Sequence, residues 1–252
     1  MANPIILLDC RTFVRGADLS GNGNEISLEE ESEVKAVTNW RSGGAVENKA
    51  GIRGTGIKAS GQWEAGNTSA PDDAFWAMRR TLDPWSIAPK SDSDLTAGGK
   101  MYLVGKAVRS KFQIGDMVGE VAPWSGEARS SWPLVQGRCA HPSGVARTAT
   151  GTGTAVQLGA VPSGKYLYAN LHMLSISGTS TPTLTVKVQS DDNSGFTTPT
   201  DVSGGSFAAA STIDGWQLRV AGPLTDTYYR VAWTVNAGVT PSFLFLASFG
   251  IE

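Results

Sequence analysis

Apolar and polar residues alternate one by one along most of this chain, the period of strands with one covered and one open face. Near the start, Ile26 and Leu28 alternate with Glu25, Ser27, Glu29 and Glu31. Further on, Ile57, Ala59, Gly61 and Trp63 fall on one side of a second strand, and Lys58, Ser60, Gln62 and Glu64 on the other. Shorter strands are expected over residues 5–8, 12–14, 101–108, 111–114, 117–122 and 131–135. The pattern becomes most regular beyond residue 160. Leu167, Ala169, Leu171 and Met173 alternate with Tyr166, Tyr168, Asn170 and His172. Similar runs follow around Val186, Leu218, Val231 and Phe245, separated by Gly, Pro and Asp turns. Such spacing predicts a two-sheet sandwich, with a jelly roll as one form of it.

One helix is expected. Ser69 can cap it, Pro71 suits its first turn, and Asp72 and Asp73 complement its positive end. Phe75, Met78, Arg79 and Leu82 keep helical spacing, and Asp83-Pro84 is the stop signal. Two long loops are predicted, over 38–53 with its glycines Gly43, Gly44 and Gly51, and over 84–99.

Composition divides the chain. Of 21 basic and 23 acidic residues, 16 and 17 precede residue 141, which leaves 5 and 6 for the remainder. The small, polar, turn-prone stretch 141–153 reads as a linker, giving expected domains 1–142 and 143–252. The formal charge of -2 offers no excess of cations to neutralise phosphates, which disfavours tight electrostatic binding of DNA. No apolar run reaches the ~18–20 residues of a membrane span, and the start has neither a basic n-region nor an apolar run long enough for a signal peptide. Folding in a cytoplasm is therefore expected, and with it two buried thiols at Cys10 and Cys139. One bridge between them is the alternative.

Catalytic patterns are lacking. His141 and His172 have no partner at a recognisable spacing, and no zinc, nucleophile-elbow or phosphate-loop motif occurs. Asp191, Asn193 and Gly195 start like a calcium loop, but Val202 stands where the closing carboxylate is needed, so a hairpin turn is the simpler reading. Acids two apart on one strand, such as Glu29 and Glu31, would lie ~7 Å apart, a glycosidase-like separation. Their neighbours Ser27, Ser32 and Lys35 do not line an aromatic cleft. The expectation is no enzyme, no metal and no cofactor.

Taken together, Asp18-Leu19-Ser20-Gly21, the acidic strand, the glycine-rich loop and residues 57–66 resemble the tail tube (major tail) proteins of long-tailed bacteriophages. Pro71-Asp72-Asp73-Ala74-Phe75-Trp76 is similar to the helix that follows the strand in that family, and 178–190 with 226–231 resemble a β-sandwich module of phage virion proteins. The resemblance implies a mainly β fold: a tail-tube-like sandwich or barrel with one α-helix, then a second sandwich that decorates the outside. It implies rings, typically of six copies, stacked into a hollow tube in the virion tail, made in the host cytoplasm. Partners would be further copies, other tail proteins, and DNA that passes without specific binding. Loop residues Trp40, Arg41, Glu47, Asn48 and Lys49 would reach an adjacent ring. Glu25, Ser27, Glu29, Glu31, Lys58 and Glu64 would face the lumen and repel DNA, or else solvate an outer face. Tyr166 and Tyr168 would touch a host-surface glycan or be covered by the first domain. Three classes stay open: tube subunit, capsid or tail decoration protein, and carbohydrate-binding sandwich.

Overall fold

The computed structural model describes residues 9–115, 119–236 and 239–252. The expected strand at 5–8 lies outside them, as does the start of the one at 117–122. The chain begins with β1 (Arg11–Val14) and β2 (Ala17–Asp18), then a long hairpin of β3 (Gly23–Ala36) and β4 (Asn48–Gln62). Helix α1 (Pro71–Ala77), β5 (Asp83–Ala88) and α2 (Ser91–Asp94) follow, then β6 (Lys100–Ile114), β7 (Pro123–Ser130) and β8 (Val135–His141). The remainder is all strand: β9 (Gly151–Thr152), β10 (Val156–Gln157), β11 (Tyr166–Thr179), β12 (Thr183–Asp191), β13 (Thr200–Ser206), β14 (Gly215–Ala221), β15 (Tyr228–Asn236) and β16 (Val239–Ile251). The fold is mainly β with antiparallel pairing throughout, as the alternation predicts. Among the described residues no helix is long and apolar enough to cross a membrane.

Local expectations fail where a short sequence signal competes with burial. The predicted loop 38–53 is shorter, because Asn48 and Lys49 already pair with Ala36 and Lys35 in the hairpin. Ser69 does not cap α1. Ala70 occupies that position without a side-chain bond, and Asp73 instead accepts the N–H groups of Gly66 and Asn67 just upstream. The helix stops at Ala77, short of Leu82, and Arg80 turns the chain with φ of 66°. Residues 84–99 are not a loop, since every residue of β5 is buried. Strands at 101–108 and 111–114 are one continuous β6, and 131–135 is mostly the turn between β7 and β8.

Eleven strands share one sheet, ordered β14-β11-β16-β8-β6-β5-β1-β2, with β7, β4 and β3 branching from β6. The 15 residues of β6 make this possible. Its start pairs with β8, its middle with β5 and its end with β7. A second, five-stranded sheet holds β10, β15, β12, β13 and β9. It packs over β11, β14 and β16 around Leu171, Val186, Val231 and Phe245, forming the sandwich expected from the spacing. A separate core under α1 gathers Ile57, Phe75, Trp85, Val104 and Trp124.

The 141–153 stretch is not a free linker. His141 ends β8 and is buried, stacked on Phe245 at 4.0 Å, and Arg147 exchanges backbone bonds with Phe243. Residue 142 thus marks the end of β8, while the sheet continues across it through the pairing of β8 with β16. Over residues 167–173 both faces of β11 are covered. Its polar residues Asn170 and His172 meet the first half of the chain in a buried seam. Asn170 Nδ2 donates to the Trp85 carbonyl at 2.9 Å, and Ser86 Oγ lies 2.9 Å from both His172 Nε2 and Ser248 Oγ. Burial holds the His172 pKa down to about 3.

Candidate functional site

The hairpin β3–β4 supplies most of the residues singled out from sequence. Its lower half pairs with β7, so side chains of β3, β4, β7 and β6 form rows across one face. One row reads Ser27, Lys58, Glu127, Lys111, and the next Glu29, Gly56, Arg129, Val108. Glu25 stands opposite Ser60 and Glu31 opposite Gly54. The reverse face carries Ile26, Leu28, Ile57, Ala59 and Ala128 against the helix core. Five of the six residues expected on a common face are therefore brought together: Glu25, Ser27, Glu29, Glu31 and Lys58.

Glu64 departs from this row. The alternation that grouped it with Lys58 ends at Gln62, and Glu64 instead accepts from Asn22 Nδ2 at 2.7 Å and from Asn67 Nδ2 at 3.3 Å. Trp63, expected on the core side, is 39% exposed beside Asp72. Sequence reading also missed Glu127, Arg129 and Lys111. Lys111 belongs to β6, and β7, which carries Glu127 and Arg129, does alternate, but past Trp124 its inward residues are as small as Gly126 and Ala128, so little hydrophobic signal marks it.

The charged face is a ladder of alternating sign. Lys58 Nζ donates to Glu29 Oε1 at 2.8 Å, and Ser60 Oγ to Glu25 Oε2 at 3.1 Å. Arg129 lies over Gly56, where a Cβ would stand 2.9 Å from its Nη1 and 3.7 Å from Glu29 Oε2. The hydrogen bond from Lys58 lowers the Glu29 pKa, helped by the charges of Lys58 and Arg129.

Above this face the hairpin leaves the body of the molecule. From Glu30 to Arg53 nearly every residue is exposed, on both faces, including Val34, Val46 and Ile52, the last at 81%. At the apex Trp40 is 104% exposed. The turn around it is nevertheless built: Arg41 N–H donates to Asn39 Oδ1 at 2.9 Å, Asn39 N–H to Ser42 Oγ at 3.0 Å, and Val37 N–H to the Glu47 carbonyl at 2.8 Å. Trp40, Arg41 and Glu47 thus crown an ordered arm, while Asn48 and Lys49 form its rising strand. Among the described residues, the long side of β3 that faces away from β4 has no strand partner.

At the opposite end of β3 lies a cleft of about 910 Å³, lined among others by Cys10, Asp18, Leu19, Ile26, Glu64 and Trp124. Arg11 bonds Asp18 within it. Both cysteines are free thiols, Cys10 half-buried and Cys139 buried, with the Cys139 pKa pushed up to about 12 by burial.

Remaining candidates have structural roles. His172 and Ser86 form a close pair, but burial on every side keeps any substrate away. Asp191 spends its two oxygens on the N–H groups of Asn193 and Thr198, which makes the 191–195 segment a capped turn. Among the described residues no group of three or more His, Cys, Asp or Glu is placed to hold a metal ion. Of the two tyrosines expected either to meet a glycan or to be covered by the first domain, Tyr168 is buried, while Tyr166 is half-buried with the Arg219 guanidinium 4.4 Å over its ring.

No known family profile and no curated protein matches this sequence. Among solved structures the chain is similar to one from the C6-symmetric tail of an empty gene transfer agent particle, at 14% identity over 46% of this chain and 81% of that one, with a TM-score of 0.37. It is similar to a chain of the sheath/tube terminator of the PVC extracellular contractile injection system, at 13% identity over 54% and 97%, with a TM-score of 0.43. Similarity to the SPP1 phage Dit protein, of a hub adsorption apparatus, spans 96% of this chain and 99% of that one, at 13% identity and a TM-score of 0.32.

Proposed function

We propose that this chain is a structural subunit of a phage tail, one whose copies join into rings and stack as a tube around the path of DNA. The observation that carries this reading is the β3–β4 arm. A two-stranded ribbon is marginal in water on its own, and this one exposes Val34, Trp40, Val46 and Ile52 with no core to receive them. Beside it runs the edge of a 14-residue strand that no other described strand pairs, which is an invitation to pairing with another chain. Proteins keep such an element when a neighbouring subunit completes it. The charged ladder formed by Glu25, Ser27, Glu29, Glu31 and Lys58 then lines the bore, and Trp40, Arg41, Glu47, Asn48 and Lys49 reach the adjoining ring. The sandwich of β9–β16 stands on the outside.

Concentrated purified protein, imaged by electron microscopy, tests this directly. Rings or hollow tubes are the expected result. A chain that stays monomeric by light scattering at every concentration would refute the proposal.

A further inference from the structure

The arm and the cleft lie at opposite ends of the same strand, and their chemistries match. The cleft opens beside the start of β3, at Gly23 and Ile26. Trp40 lies past its other end, so about 14 residues of extended chain separate them, roughly 45 Å. An arm held straight by its own ladder cannot bring its apex back to its own cleft. We propose that the apex of one copy seats in the cleft of a second copy, an inference that rests on the self-assembly reading above.

Shape, polarity and charge each favour this occupant. Fully exposed tryptophans are costly to leave in water and are the residues that interface centres take up, together with arginine. Trp40 and Arg41 are adjacent at the apex. The cleft is of the size that receives large side chains. Buried Leu19 and Trp124 give it an apolar interior for an indole. Around that interior stand the carboxylates Asp18, Glu25 and Glu64, with Arg11 the one cation among the described lining residues. Residues 35–49 of the arm carry the opposite balance, with Lys35, Arg41 and Lys49 against Glu47. Complementary fields of this kind orient partners and exclude wrong ones. Because the two surfaces sit at different places on one molecule, the contact is head-to-tail and propagates from copy to copy.

The test follows assembly of the full chain by light scattering and electron microscopy, and reads the cleft through Cys10, whose half-buried thiol lines it. Trp40→Ala and Arg41→Glu change exposed side chains, and each is expected to raise the concentration for half-assembly roughly tenfold or more. Combining Arg41→Glu with Glu64→Lys should restore it to within about threefold of the original. Maleimide should label Cys10 about tenfold more slowly in the assembled protein than in dispersed protein, since the seated apex excludes the reagent. If Trp40→Ala assembles as the unaltered chain does and Cys10 labels equally fast in both states, the seating is overturned and self-assembly stands. If the unaltered chain never assembles, both are overturned.

Discussion

Ser86 holds together three buried polar groups. Its hydroxyl meets His172 Nε2 and Ser248 Oγ, and it lies 3.4 Å from Asn170 Nδ2. Removing it deprives buried His172 Nε2 and Ser248 Oγ of this partner, which costs more than the one bond lost. Ser86→Ala should therefore destabilise the fold by about 2–4 kcal/mol, seen as a lower urea midpoint; an unchanged midpoint would show that the seam carries no stability. The two histidines set an acid limit. Burial, reinforced by the Arg147 charge, lowers the His141 pKa to about 4, and burial alone lowers that of His172 to about 3. Both lie below the ordinary value of 6.5, so the unfolded chain takes up these protons first. The stabilisation is complete above pH 6.5 and is lost as the pH falls through those values, by roughly 3 kcal/mol for His141 and 5 for His172. Between pH 7 and pH 4.5, which is still above both lowered values, part of this is lost, roughly 2–3 kcal/mol for each histidine, and His141→Gln should shrink the difference in denaturation profiles. A flat profile in the unaltered protein contradicts the assignment.

At the scale of elements, α1 is held less by its seven residues than by what lies beneath it. The Phe75 ring lies over Gly126 of β7 and packs with Trp85, Phe112 and Trp124 at centroid distances of 5.1–5.9 Å. A Cβ at Gly126 would collide with that ring, so Gly126→Ala should lift the helix and cost about 1–3 kcal/mol, measured by thermal unfolding. Retained stability would mean that the contact is loose. This case also shows what the sequence could not convey. Long alternating runs such as those of β11, β12 and β15 were legible because large apolar residues repeat at period two. β7 was not, because past Trp124 its inward positions are glycine and alanine. β5 was misread as loop since burial on both faces erases alternation, and Asp83-Pro84 looks like a terminator when read locally. The seam had no signal at all: Asn170 and His172 sit where a solvent-facing strand residue would, and only the chain reversal that brings β5 beneath β11 buries them. Proteases offer a check on the expected boundary at 142. The first cuts should fall within residues 37–47, not within 141–153, where Arg147, Ala149, Thr150 and Gly153 are all bonded to β15 or β16.

For the whole molecule, the decisive quantity is the net charge of the face that the proposal puts on the bore. The sequence alone sets Glu25, Glu29, Glu31 and Glu64 against Lys58, a wall made mainly of carboxylates. The assembled sheet supplies cations from β4, β6 and β7, and the balance narrows to Glu25, Glu29, Glu31 and Glu127 against Lys58, Lys111 and Arg129. One negative charge per copy remains. Such a wall repels DNA weakly and over no more than a Debye length, about 8–10 Å at ordinary salt, and its alternating signs give no run of cations on which phosphates could settle. A narrow margin makes the prediction sharp. Glu29 is committed to Lys58 and Arg129, and reversing it would disrupt the sheet. Glu31 faces only Gly54, so Glu31→Lys leaves the fold alone while moving each copy from one net negative charge to one net positive. Particles assembled from that variant should release DNA more slowly than the original, with the difference shrinking as salt is raised. Equal release rates at low salt would place this face away from DNA and return the ladder to the outer surface.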